Sequence, residues 1–232
     1  MKNKKLIISL LACTLVICVA FATWHFSQPK SPETTEFVVH TLEVATTGGS
    51  DSDNETIETH TMEIEDDDTP LATVGSSKSK ARNLSTSELN KIRTNLINSV
   101  NKERKKSAKN KTVAKLTTLE RTGNVRSKEI VKKWSHTRPN GKSWSTVLSN
   151  YGISTKNLKA GEDLAKVSTT AKSSYSTSFL TQLSNAIHKS LMNSATHKKV
   201  ILNQSYKKIG VGIYSEVKNG KLTVYVTEHF KN

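Results

Sequence analysis

The C-terminal end of the chain carries the pattern that most restricts its fold. Residues 209–215 and 222–230 each alternate apolar side chains with small or polar ones. A period of two predicts strands that bury one face. Asn219-Gly220 lies between the two runs, and this dipeptide is a strong signal for a two-residue β-hairpin. Other elements must therefore cover the apolar face of an antiparallel hairpin.

Helical patterns precede that hairpin. Ser85 and Glu88 form a capping box at the start of a helix that runs to about Lys105. Apolar spacing predicts further helices at about 113–134, from 143, at 179–193 and after Ser194. Helices before a late antiparallel sheet favour an α+β layered domain over residues 83–232. Gly123 lies on the apolar stripe of the second helix, where it either admits another element closely or breaks the helix.

The N-terminal residues 1–25 are typical of a signal peptide or a membrane anchor. Three lysines precede an apolar run, and Ala20-Phe21-Ala22 matches a signal-peptidase site. Residues 6–24 are uncharged and nearly long enough to span a bilayer, so membrane tethering stays open. A lipid on Cys13 is the least favoured alternative. Cys13 and Cys18 are the two cysteines of the chain, and an exported domain without cysteines is typical of a Gram-positive-like bacterial surface protein.

Residues 26–82 form an acidic segment between this start and the domain. Twelve Asp and Glu residues lie between positions 27 and 77, against Lys30 as the single base. Large apolar residues are few, so the segment buries too little surface to offset the entropy of ordering it. The composition therefore predicts a disordered acidic linker.

The rest of the chain is strongly basic. From Lys78 onward there are 31 Lys and Arg residues against 8 Asp and Glu, a formal charge of +23. Such a surface attracts polyanions, which outside a bacterium include wall polymers and anionic lipids. Aromatic residues are not interleaved with the lysines, so we expect no specific nucleic-acid groove.

Three polar side chains stand beside predicted turns or helix ends, where they can face a cleft. They are His136 after the second helix, Glu162 after Gly161 in a predicted loop, and His197 at the start of a short helix. Imidazole and carboxylate groups suit a divalent metal, and they also suit proton transfer near neutral pH. The residues alone leave both alternatives open.

Glu228 is unusual because strand parity places it on the apolar face of the last strand. A buried carboxyl group there needs a partner or a raised pKa. Fraying of the strand, which would let Glu228 reach water, is the alternative. His229 points the other way and receives no assignment.

Motifs of several enzyme classes are absent from the sequence. There is no phosphate-binding G-x-x-x-x-G-K, no H-E-x-x-H, no C-x-x-C and no G-x-S-x-G. The sequence therefore gives no local evidence for a P-loop nucleotide site, a zinc-peptidase site or a serine nucleophile.

Seven blocks occur in the order typical of one family. They are Val100–Arg104, Ser135–Lys142, Ala160–Ala165, Leu191–His197, Val200–Asn203, Ile209–Gly212 and Tyr225–Phe230. In this order the chain resembles a bacterial CAP domain, also called the SCP domain, of the superfamily of cysteine-rich secretory proteins, antigen 5 and pathogenesis-related proteins.

The resemblance implies a three-layer α-β-α sandwich with a central antiparallel sheet. It also implies an open cleft in which a His/Glu tetrad holds a divalent cation, often zinc. His136, Glu162 and His197 match three members of that tetrad, while the fourth, a glutamate, has no match. Asp163 replaces the family's usual asparagine, and Glu228 stands where bacterial relatives often have glutamine. We hypothesise that Glu228 faces the same cleft.

The expected function is that of a secreted or surface-tethered binding module. Its cleft takes a divalent metal or small ligand, and its basic surface takes an anionic wall polymer or a lipid. The alternative is an extracellular metal- or acid/base-assisted hydrolase that uses His136 and Glu162. An adhesin for nucleic acid or host protein, driven by charge alone, is a third possibility.

Overall fold

The computed structural model describes residues 35–47, 55–66 and 80–232. The predicted signal peptide or anchor at residues 1–25 lies outside these ranges. Within them, no helix combines the length and the hydropathy that a bilayer crossing requires.

Helices and strands are interspersed along the described ranges. The helices are α1 (Thr86–Lys105), α2 (Thr117–Lys132), α3 (Thr146–Ser149), α4 (Thr177–Asn193) and α5 (Ala195–Ile201). The strands are β1 (Thr35–Thr47), β2 (Glu55–Asp66), β3 (Ala114–Lys115), β4 (Ala160–Thr170), β5 (Lys208–Lys218) and β6 (Lys221–Lys231).

The strands form one sheet in the order β2-β1-β4-β6-β5-β3. Neighbouring strands are antiparallel except at one edge, where β3 runs parallel to β5. The sheet is therefore mixed, which corrects the expectation of an antiparallel sheet. The exception arises because the chain enters α2 alongside β5, so that the Ala114 amide donates to Lys207 and the Leu116 amide to Ile209.

Helices cover both faces of this sheet. Side chains of α1, α4 and α5 pack on the face that carries Val167, Val211 and Val226. On the other face α2 and α3 share a cluster through Leu119 and Leu148, and α2 also packs on β4. The fold is thus α+β with the sheet between two helical layers, as the resemblance implied.

Two local predictions are confirmed in detail. The Ser85 hydroxyl accepts from the Glu88 amide while the Glu88 carboxylate accepts from the Ser85 amide, which completes the capping box of α1. Asn219 and Gly220 both have positive φ and join β5 to β6 as a two-residue turn.

The structure differs from the prediction of a wholly disordered acidic linker. Within residues 26–82, β1 and β2 pair with each other, and β1 also pairs with β4 from Thr41↔Ser168 to Ala45↔Leu164. Both strands are rich in β-branched Val, Ile and Thr, which favour extended backbone. The prediction of disorder used the average composition of residues 26–82, which hid these two β-branched stretches.

Glu162 also lies in a different element from the one predicted. Residues 160–170 form β4, between β1 and β6, rather than a loop. Helices cover both faces of β4, and charged residues interrupt its apolar residues. For both reasons β4 lacks the alternation of apolar and polar residues by which β5 and β6 were predicted.

Gly123 admits a close neighbour rather than breaking α2. The helix continues through it, and an ideal Cβ on Gly123 would stand 2.7 Å from the backbone nitrogen of Gly212 in β5. An ideal Cβ on Gly212 would overlap the carbonyl carbon of Gly123. The backbone of α2 at Gly123 therefore packs directly on the backbone of β5 at Gly212.

Gly212→Ala is therefore expected to lower the free energy of unfolding by about 3 kcal/mol, because the methyl group would force α2 away from the sheet. Gly152→Ala is the control: nothing stands within 4 Å of its ideal Cβ, although its φ is +74°. That control should cost only about 1–2 kcal/mol. Urea unfolding of both variants tests this, and equal losses would contradict the close approach.

Candidate functional site

Glu162 is the centre of a buried hydrogen-bonded cluster on the α2 side of the sheet. Its Oε1 is 2.9 Å from Nδ1 of His136, and its Oε2 is 2.9 Å from Nε2 of His229. Arg126 donates from Nε to Oε2 at 2.9 Å and from Nη2 to Oε1 at 3.1 Å. An ionised carboxylate only accepts, so both histidine nitrogens carry the hydrogen in these bonds.

Different elements bring these groups together. Arg126 lies on the buried stripe of α2, and its Nη2 also donates to the carbonyl oxygen of Ser135 at 2.7 Å. That bond holds the chain next to His136, whose carbonyl oxygen accepts from the Trp144 amide at 3.0 Å. His229 lies directly opposite Glu162 in the pairing of β4 with β6.

The cluster keeps Glu162 ionised. Burial by itself would raise the pKa of this carboxyl group, but hydrogen bonds from His136 and His229 and the charge of Arg126 outweigh it. The pKa of Glu162 is therefore held well below its ordinary value. Burial lowers the pKa of Arg126, but the charge of Glu162 outweighs this and leaves it raised. The Arg126–Glu162 pair therefore stays charged at any physiological pH.

This arrangement does not fit the predicted zinc site. Both Glu162 oxygens accept from a buried guanidinium, whose positive charge opposes a second cation. Among the side chains of residues 80–232, no three His, Cys, Asp or Glu groups are placed so as to hold a metal ion. Zinc binding by His136, Glu162 and His197 stays a prediction, which metal analysis of the purified protein tests.

His197 lies on α5 and is buried. One turn further along α5, the Cγ1 of Val200 would be 2.9 Å from an ideal Cβ on Gly161, so this helix packs against the start of β4. His197 is nevertheless not among the side chains that bond to Glu162. The structure thus joins His136 and Glu162 directly, whereas His197 lies on α5, in the helical layer on the opposite face of the sheet.

Glu228 does not face the same side as Glu162, which corrects the hypothesis of a shared cleft. Glu162 lies opposite His229 in the β4–β6 register, and Asp163 lies opposite Glu228. Because neighbouring strand residues point to opposite faces, Asp163 and Glu228 face the layer of α1, α4 and α5. Strand parity alone had placed Glu228 correctly among apolar residues.

Asp163 and Glu228 form a buried carboxyl pair. Both are at most 1% exposed, and none of their four carboxyl oxygens has a hydrogen-bond partner among the described residues. Burial raises the pKa of Glu228 to about 8. Burial and the neighbouring charge of Glu228 raise the pKa of Asp163 well above its ordinary value. These groups therefore hold protons where most carboxyl groups have lost them.

Sequence reasoning missed Arg126 and His229. The position of Arg126 in α2 could have revealed it. Positions 119, 123, 126 and 130 fall on one face of a helix, and all four are buried. A charged residue on a buried stripe needs a partner of opposite charge. The partner of His229 depends on the register of β6 against β4, and no local pattern revealed that register.

The cluster is closed rather than open. The His136 side chain is 6% exposed, and those of Glu162, Arg126 and His229 are fully buried. A surface depression of about 330 Å³ lies beside it, lined by Val125, Lys128, Glu129, Lys132, Pro139 and Asn140. We call this the α2 depression. Glu129 joins the two features, because its Oε2 accepts from Nη1 of Arg126 at 2.9 Å.

Comparison with known proteins agrees with this architecture. The model of CAP, the cysteine-rich secretory protein family, matches residues 86–230. No curated protein matches the chain.

Two bacterial proteins are among the solved structures that this chain matches. One is an extracellular protein containing an SCP domain from Bacillus anthracis, with 17% identity over 65% of this chain and a TM-score of 0.45. The match covers 44% of that protein, less than half of its length. The other is an outer surface protein from Borrelia burgdorferi, with 20% identity over 66% of this chain and 98% of that one, and a TM-score of 0.46.

Proposed function

Because the chain belongs to the CAP, or cysteine-rich secretory protein, family, we propose that it is an extracellular binding module for anionic polymers of the cell surface. Export rests on residues 1–25, which are typical of a signal peptide or an anchor. Binding rests on the charge of the domain, and the placement of its acidic residues carries the proposal.

Few acidic side chains are left to oppose the lysines at the surface. Of the eight Asp and Glu residues after position 78, Glu162, Asp163 and Glu228 are buried. Glu88, Glu103, Glu120 and Glu129 are paired with Arg or Lys, and Glu216 accepts from the Tyr225 hydroxyl. The 31 Lys and Arg residues after position 78 therefore outweigh the acidic residues, and the chain as a whole keeps a formal charge of +15, which favours polyanions.

The hydrolase alternative has less support. A general base must reach the proton that it removes, whereas Glu162 is closed from solvent and already accepts from three side chains. The His136–Glu162 pair therefore supports the architecture of the domain better than it supports turnover.

Salt dependence tests the proposal. The purified chain is titrated with a glycerol-phosphate polymer at 50 and 200 mM salt, and dextran serves as the neutral control. Each phosphate contact releases counterions, so we expect affinity to fall about tenfold or more between these salt concentrations. Affinity that does not change with salt, or equal binding of dextran, would contradict the proposal.

A further inference from the structure

We propose that the α2 depression is the site at which this domain holds a phosphodiester group of a soluble anionic polymer. The inference rests on the proposed function and specifies where, and through which chemistry, that function operates. The two lysines that line the depression, Lys128 and Lys132, are exposed and lie one turn apart on α2.

The acidic residue in the depression does not cancel this charge. Glu129 is bonded by Arg126 on one side and by Arg138 on the other, at 2.9 and 2.7 Å. Hydrogen bonds from both guanidinium groups and their charges outweigh its burial and lower the pKa of Glu129. Two guanidinium groups thus surround the Glu129 carboxylate. The residues that line the depression therefore include no unpaired carboxylate that would repel an anion from Lys128 and Lys132.

The wall of the depression is held in place before any ligand arrives. Arg138 reaches across to Glu129 on α2 and also donates to Thr146 at 3.1 Å. Pro139 and Asn140 follow in a turn that the Gly141 amide closes onto the Arg138 carbonyl oxygen at 2.9 Å. A preformed wall lowers the entropy that binding has to overcome.

Polar and apolar groups are both available to a ligand there. Asn140 accepts from the Lys142 amide through Oδ1, which leaves its amide nitrogen to donate. Val125 and Pro139 supply apolar surface. A phosphodiester flanked by a short polyol chain presents both kinds of group, and about 330 Å³ is within the range of small-ligand sites.

The surface favours a soluble polymer over a lipid headgroup in a bilayer. Amphipathic helices that lie in a membrane interface bury large apolar side chains in it. Within residues 80–232, Tyr151 is the only large hydrophobic side chain that is exposed. Charge without an apolar face to insert suits a polymer in water.

A matched pair of variants tests the site. Lys128→Gln with Lys132→Gln removes two charges from the α2 depression, while Lys102→Gln with Lys105→Gln removes two exposed charges from α1. The α1 lysines also line a surface depression, but there both ends of the Asn101 amide are bonded to Val113. All four lysines are exposed, so both variants should unfold at the wild-type urea midpoint.

Binding of the glycerol-phosphate polymer is measured across a salt series. We expect the α2 variant to reduce the slope of log affinity against log salt by about two, and the α1 variant by well under one. Equal changes in both variants, with salt-dependent binding by the wild type, would overturn this site and leave the proposed function standing. Absence of binding by the wild type would overturn both. Anionic vesicles bound more tightly than the soluble polymer would overturn the choice of ligand.

Discussion

Replacing Arg126 by methionine is expected to lower the free energy of unfolding by about 3–5 kcal/mol, because it leaves the Glu162 carboxylate buried without its cationic partner. Arg126 is fully buried and donates to Glu162, Glu129 and the Ser135 carbonyl oxygen. Methionine fills much of the same volume, so the loss reports the missing charge and hydrogen bonds more than a cavity. Chemical denaturation at pH 7 measures it.

Arg121→Met is the control, since Arg121 lies on the same helix but is exposed. That variant should stay within about 0.5 kcal/mol of the wild type. Equal stability of both variants would show that the partnership of Arg126 with Glu162 does not stabilise the folded state.

The acid side of the stability curve gives a second measure of the same pair. The folded-state pKa of Glu162 is depressed, so its contribution to stability is present above the ordinary carboxyl pKa of 4.5 and is lost as the pH falls below it. Arg126→Met raises that pKa. The variant should therefore lose less stability than the wild type between pH 5 and the acid limit of folding.

Glu228→Gln is expected to have the opposite effect and to stabilise the protein, by about 2–4 kcal/mol at pH 8. Burial raises the folded-state pKa of Glu228 from 4.5 to about 8, so the folded state keeps a proton that the unfolded state releases. Stability is therefore lost as the pH rises through this interval. Glutamine has the same shape and no ionisable proton, so it removes that loss.

The difference between Glu228→Gln and the wild type should be small at pH 5 and should grow toward pH 8. Glu216→Gln in the adjacent strand is the control, because Glu216 is only partly buried and accepts from a tyrosine hydroxyl. Urea unfolding at pH 5, 6.5 and 8 gives the comparison. A gain that is the same at all three values would show that Glu228 does not hold its proton.

Local features of the fold were predictable from the sequence. The capping box at Ser85, the turn at Asn219-Gly220 and the helical stripes depend on residues close together in the chain. The mixed sheet was not predictable in the same way, because β3 has two residues and owes its direction to β5, almost a hundred positions later. Strands β1 and β2 were hidden because the acidic composition outweighed their β-branched residues.

The candidate site was predictable only in part, for the same physical reason. His136 and Glu162 were singled out from their residue types and from the family resemblance, and the structure bonds them directly. Arg126 and His229 complete the cluster through tertiary contacts that span 36 and 67 positions. Glu228 was expected to share a cleft with Glu162, but it lies opposite Asp163. The sequence did not show that β4 pairs with β6 in this register.

The pairing of β4 with β6 has a consequence for how far this domain can vary. Two neighbouring residues on each strand supply two chemically different environments, an ion pair with histidines above the sheet and a protonated acid pair below it. An insertion or deletion of one residue in β4 would exchange the layers that Glu162 and Asp163 face. It would put the Glu162 carboxylate among aliphatic side chains and Asp163 beside a guanidinium. Single substitutions are therefore the route by which either environment can change, whereas length changes between Ala160 and Phe230 must stay within the loops.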